Sequence, residues 1–258
     1  MHDGRHNTAL FYAEKLKNMK VDKDRKKIYD GTFFNQGTLA PAKMEMAFGN
    51  WESAIKQLEK VTNMDTAYSF ASMEFKKCLT FFAKGMAALD KNNVSEAIQF
   101  SNNLDAVLWR IEKQSGKDST LNQPFDRFSW GYLNTLNIAS LELQGCIKTE
   151  QGNYEEALKL LEKAQKNEME LGYGEPPLYA RPVAISLAKA HEKVGKMDKA
   201  IAVYDTLLKR FPKSAFVYQR LAAAYAKKGD AEKVREFENK LKEACQYADK
   251  GIYALKAN

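Results

Sequence analysis

Three histidines, His2, His6 and His191, and three cysteines, Cys78, Cys146 and Cys245, are the side chains of this 258-residue chain best suited to metal ligation or nucleophilic catalysis. Their spacing supports neither. A zinc protease needs two histidines one helical turn apart with a glutamate between them, and thiolate zinc sites or dithiol redox chemistry need cysteines paired two residues apart. Neither arrangement occurs. The cysteines fall inside helical patterns, where a thiol serves as a small apolar packing group in a reducing compartment rather than as part of a disulfide framework. His191 falls on a packed helical face. No phosphate-cradling loop, dinucleotide fingerprint or nucleophile elbow is present, so no nucleotide or acyl chemistry is signalled. Adjacent carboxylates such as Glu155 and Glu156 lie on a face that solvates a helix, and acid–base catalysis needs a pocket the sequence does not outline. The expectation is a chain with no catalytic residue, no metal site and no cofactor.

The elements around these residues are helical. Alanine, leucine, lysine and glutamate are abundant while only 6 prolines and 14 glycines interrupt them, a composition that favours helix because these side chains lose little rotamer freedom there. An all-α fold follows. No apolar run approaches the roughly 20 residues that a membrane-crossing helix needs. The formal charge of +7 concentrates late in the chain, with twelve Lys/Arg against six Asp/Glu in residues 207–258. A solvated face explains this excess. Nucleic acid is not expected as a partner, because aromatic residues that stack bases are not interleaved with the basic ones. The basic run from Lys17 to Lys27 reads as a connector.

Repetition organises the rest. "SLAKAHEKVGKMDKAIAVYDTLLKRFP" aligns with "RLAAAYAKKGDAEKVREFENKLKEA" at an offset of 34 residues, matching Leu187 to Leu221, Ala188 to Ala222 and Gly195 to Gly229. Upstream, "LELQGCIKTEQGNYEEALKLLEKA" has the same form, with Gly145, Gly152 and Ala157 in place of Ala188, Gly195 and Ala200. Each unit reads as two helices. A small residue in the first helix and an alanine in the second let the backbones approach. The glycine between them supplies a turn that a Cβ resists, and Pro212 ends its pair. One pair cannot bury its own apolar faces, so neighbouring pairs must stack.

These residues resemble the tetratricopeptide repeat family, most clearly over 138–245. Related spacing recurs in "MEMAFGNWESAIKQLEKV" and "FFAKGMAALDKNNVSEAIQF", with Asn92 standing in for the turn glycine. The resemblance implies an α-solenoid of helix-turn-helix repeats forming a right-handed superhelix. It divides the chain into an incomplete repeat and basic connector (1–34), two divergent repeats (35–111), a long inserted loop leading into a helix (112–137), and three repeats with a capping helix (138–258). Residues 3–16 look like a turn and second helix without a first, as in a fragment of a longer protein or an atypical cap. A cytoplasmic location follows if Met1 is the true start, and a periplasmic one becomes open if the chain is a fragment. "GYGEPPLYARPV" resembles a segment of large bacterial members of the family.

In this family the first helix of each pair lines a concave face where partners, often peptides, bind. The resemblance therefore implies a non-catalytic protein- or peptide-binding scaffold. The outward positions of the first helices give Lys43, Phe82, Met86, Glu142, Lys189, Phe216, Gln219 and Arg220 as candidate contacts, with Lys189 and Arg220 favouring an acidic segment. The family's carboxylate clamp is not expected, because Cys146, Lys189 and Ala223 replace its asparagine. The alternative is a ligand-binding or accessory enzyme domain with a pocket walled by 112–130.

Overall fold

A residue with positive φ separates each helix from the next within a pair, and the next helix starts two residues later in every case. The computed structural model describes residues 4–18, 28–62, 64, 72–117, 127–172 and 177–249. Among them are eleven α-helices and no strand. These are α1 (His6–Lys17), α2 (Ile28–Phe48), α3 (Trp51–Glu59), α4 (Ser72–Asp90), α5 (Val94–Lys117), α6 (Arg127–Glu150), α7 (Tyr154–Glu170), α8 (Ala184–Lys193), α9 (Met197–Arg210), α10 (Ala215–Lys228) and α11 (Ala231–Ala244). The turn residues are Gly49, Gly152, Gly195 and Gly229 at φ 76–77°, and Asn92 at 57°. Asparagine tolerates this left-handed conformation better than other residues with a side chain.

At each turn the same hydrogen bond closes the preceding helix. The backbone N–H of Asn50 donates to Glu45 O, Asn93 to Ala88 O, Asn153 to Lys148 O, Lys196 to His191 O and Asp230 to Tyr225 O, at 2.8–3.1 Å. Carbonyls left over at a helix end are thereby satisfied. The second helix then folds back on the first, giving the pairs α2/α3, α4/α5, α6/α7, α8/α9 and α10/α11. Four second helices carry an alanine with no exposed surface at the equivalent place: Ala54, Ala97, Ala157 and Ala200. Gly145 sits opposite, where an added Cβ would lie 2.6 Å from Leu161 Cγ and 3.4 Å from Ala157 O. Gly85 instead makes room for the neighbouring first helix, since its Cβ would meet Leu143 Cδ2 at 2.7 Å.

The chain divides into two compact units, Tyr12–Val183 and Met1–Phe11 with Ala184–Asn258. In the larger, the first helices α2, α4 and α6 follow one another side by side, and Phe75 of α4 stacks on Tyr132 of α6 at 4.3 Å between ring centroids. In the smaller, Ala188, Ala200, Tyr204, Leu221, Ala222 and Phe237 form one buried cluster of α8–α11. Ala200 has no exposed surface. Ala200→Leu is expected to cost roughly 1–3 kcal/mol by overpacking, read as a lower midpoint in chemical unfolding with unchanged slope.

The interval between Asn92 and Gly152 departs from the loop expected over 112–130. Helix α5 continues to Lys117 and α6 begins at Arg127, each 24 residues long. The apolar stripe Leu104, Val107, Leu108 and Ile111 is buried and keeps α5 helical beyond the length of an ordinary repeat helix. The loop-forming residues of 118–126, and the basic connector over 19–27, lie outside the described residues.

Candidate functional site

On the first helices of the smaller unit, burial separates two faces. In α10, Ala215, Val217, Leu221, Ala222 and Ala224 are buried, while Phe216, Gln219 and Arg220 are half-buried and Ala223 is exposed. Those four lie at i, i+3, i+4 and i+7, one continuous helical stripe. In α8, Lys189 is the equivalent of Ala223 and continues toward the helix end with Glu192 and Lys193, both lysines being exposed. Lys227 of α10 forms an ion pair with Glu192 at 3.1 Å, and the Tyr204 hydroxyl donates to the same carboxylate at 2.7 Å. Glu192 is thus engaged locally, and Lys189, Lys193 and Arg220 are basic side chains along these two helices. The Arg220 guanidinium lies 5.3 Å from the Phe216 ring centroid, and its Nε is shielded from solvent without a hydrogen-bond partner. Stacking on an aromatic ring holds a guanidinium in place while keeping its donors available for a carboxylate.

The corresponding face of the larger unit is covered. Lys43, Phe82, Met86 and Glu142, expected as open positions of α2, α4 and α6, are all buried, Glu142 completely. Residues 177–183 lie across Lys43, Phe82 and Glu142. Lys43 Nζ donates to the Pro177 carbonyl at 3.2 Å and to Gln36 Oε1 at 2.7 Å. The Tyr179 hydroxyl donates to the Glu142 carboxylate, and its ring sits 6.4 Å from that of Phe82, which packs edge-on against Trp51 at 5.7 Å. Arg181 rests its guanidinium 5.2 Å from the Trp51 centroid, and the Val183 N–H donates to Glu168 at 2.8 Å. This strap has no helical or strand structure of its own. Met86 is buried within α4.

Burial governs the protonation of these groups. It pushes the Lys43 ammonium down to about 8. Burial, and then the neighbouring Glu142 carboxylate, raise the Tyr179 phenol well above its ordinary value, so Tyr179 stays a donor at any physiological pH. The Cys78 thiol is pushed up to about 12, mainly by burial, which leaves it a packing group rather than a nucleophile. His191 is buried in α8. Among the described residues no three His, Cys, Asp or Glu side chains cluster as metal ligands, and no helix is long and apolar enough to cross a membrane.

Tyr179, Arg181 and Glu168 were not singled out from the sequence, and Trp51 was read there only as part of the repeat spacing. A tyrosine and an arginine two residues apart between Pro177 and Pro182 were the available signal.

Residues 138–168 match a family model described as "Tetratricopeptide repeat", and residues 182–224 match a second with the same description. Residues 138–168 and 182–224 are tetratricopeptide repeats. A search of the curated proteins found no match. The two matched segments cover α6/α7 and the helices α8 to α10, and the repeat fold they specify is the helical solenoid seen in the pairs above. Tetratricopeptide repeats generally mediate protein–protein interaction, and proteins built from them are typically scaffolds without catalytic activity.

Proposed function

We propose that this protein is a non-catalytic scaffold whose smaller unit binds an acidic or carboxylate-terminated segment of a protein partner along α8 and α10. The observation that carries this reading is the half-buried stripe Phe216, Gln219 and Arg220 on α10, with Lys189 exposed on α8, the first helix of the preceding pair. An arginine poised on an aromatic ring, with an amide at the adjacent position, offers donors and an apolar contact to a carboxylate-bearing peptide. The electrostatic part of such binding weakens as salt rises.

The test uses a glutamate-rich peptide with a free C-terminal carboxylate and its glutamine counterpart. The intact protein is expected to prefer the acidic peptide, and Lys189→Ala/Arg220→Ala to weaken that binding by about tenfold, as the loss of two charge-assisted contacts implies. The melting temperature should not move, because both side chains lie outside the buried cluster. Equal affinity of the double variant for the acidic peptide would remove this face from the account.

A further inference from the structure

The strap over α2, α4 and α6 meets side chains that a purely space-filling segment would not need. Two carboxylates, Glu142 and Glu168, and the Lys43 ammonium are buried around it, and burying charge is costly even when each charge is paired. Their partners are chemically distinct: a backbone carbonyl on Lys43, a phenol on Glu142, a backbone N–H on Glu168. The aromatic wall of Trp51 and Phe82 accepts one cation and one ring from the strap. Carbonyl, N–H, phenol and guanidinium are each read at a separate place, which is how a peptide is recognised.

The strap is also weakly tied to its surroundings. Outside the helices, no backbone–backbone hydrogen bond involves residues 177–182 among the described residues, and Arg181 Nε is buried without a hydrogen-bond partner. Pro177 and Pro182 restrict the segment before it docks, so little conformational entropy is lost on seating. A segment with few backbone ties and specific side-chain seats can be exchanged for another of the same chemistry.

We propose that residues 177–183 occupy, in the same chain, a peptide-binding groove of the larger unit, and that a partner segment carrying tyrosine and arginine two residues apart between prolines binds there by displacing them. This rests on the reading that first-helix faces of this protein take peptides, and not on the basic stripe of α8 and α10. A tethered occupant competes at an effective concentration in the millimolar range, so the groove opens only to a partner that is abundant or better matched.

The probe is a fluorescent peptide of the strap sequence, PLYARPV. The full chain carrying Tyr179→Ala/Arg181→Ala, with its own strap disarmed, is expected to bind the probe at least about tenfold more tightly than the unaltered chain, where the tethered copy competes. A probe with Tyr179→Phe should bind the disarmed chain about tenfold more weakly, having lost the donor to a buried carboxylate. Adding Lys189→Ala/Arg220→Ala should change neither result, which separates failure here from failure of the α8–α10 site. The proposal is overturned if the disarmed chain, shown to be folded by its helical circular dichroism, binds the probe no better than the unaltered chain or does not distinguish the phenylalanine probe. Should the disarmed chain lose its helicity, hydrogen exchange in the unaltered chain decides. Excess probe must then accelerate exchange of the Val183 amide relative to a scrambled peptide, and unchanged exchange overturns the proposal.

Discussion

Phe75→Ala is expected to lower the unfolding free energy by roughly 3–5 kcal/mol, the range for deleting a fully buried aromatic side chain. Phe75 has no exposed surface, and its ring stacks on Tyr132 at 4.3 Å, joining α4 to α6. The substitution therefore removes apolar burial, an aromatic pair and part of the contact between consecutive first helices together. It bears on the repeats upstream of residue 138, which lie outside the matched segments. If α4 stacks on α6 as one repeat on the next, the loss appears as a lower denaturant midpoint in the transition of the larger unit. A loss below about 1 kcal/mol, typical of a surface substitution, would mean that the ring is not held between the two helices.

The second large effect depends on pH. Lys43 titrates at about 8 in the folded protein against 10.5 ordinarily, because burial disfavours its charged form. Below pH 8 both folded and unfolded chains carry the proton, and the full cost of the buried ammonium is present. Between pH 8 and 10.5 the unfolded chain binds more protons, so stability due to this group rises with pH. The rise amounts to about 3 kcal/mol by the end of that window, from a shift of two to three pKa units. Other lysines and tyrosines titrate there as well, so the informative quantity is the difference between the unaltered protein and Lys43→Met. Urea unfolding at pH 7.5 and 10 is expected to show that difference shrinking or reversing in favour of lysine at the higher pH. A difference independent of pH would mean that Lys43 reaches water, which the Pro177 carbonyl and Gln36 beside its ammonium argue against.

Local chemistry explains what could be read from the sequence. A left-handed turn has few occupants, so Gly49, Asn92, Gly152, Gly195 and Gly229 marked the helix boundaries before any coordinates. Close helix approach leaves room only for small side chains, so Ala157 and Ala200 marked the contact faces. The interval 112–130 misled because its Ser, Gly, Asp, Asn and Pro residues are turn-formers. The buried stripe ending at Ile111 keeps α5 helical to Lys117 all the same. The strap was illegible for a different reason. Lys43 meets Pro177 across 134 residues and Glu142 meets Tyr179 across 37, and no periodicity connects them. Helical spacing placed Lys43, Phe82 and Glu142 on the first-helix face, but it carries no information on whether another part of the chain covers that face. In the smaller unit no such segment was needed to explain burial, and Lys189, Phe216, Gln219 and Arg220 retain accessible surface.

The central claim is that partner segments bind along the first helices, and backbone amide NMR of the full chain titrated with the glutamate-rich peptide tests it most directly. The account predicts salt-sensitive shifts concentrated on α8 and α10, around Lys189, Phe216, Gln219 and Arg220, with the second helices α9 and α11 unperturbed. Shifts concentrated on α9 and α11, or none at millimolar peptide, would contradict it.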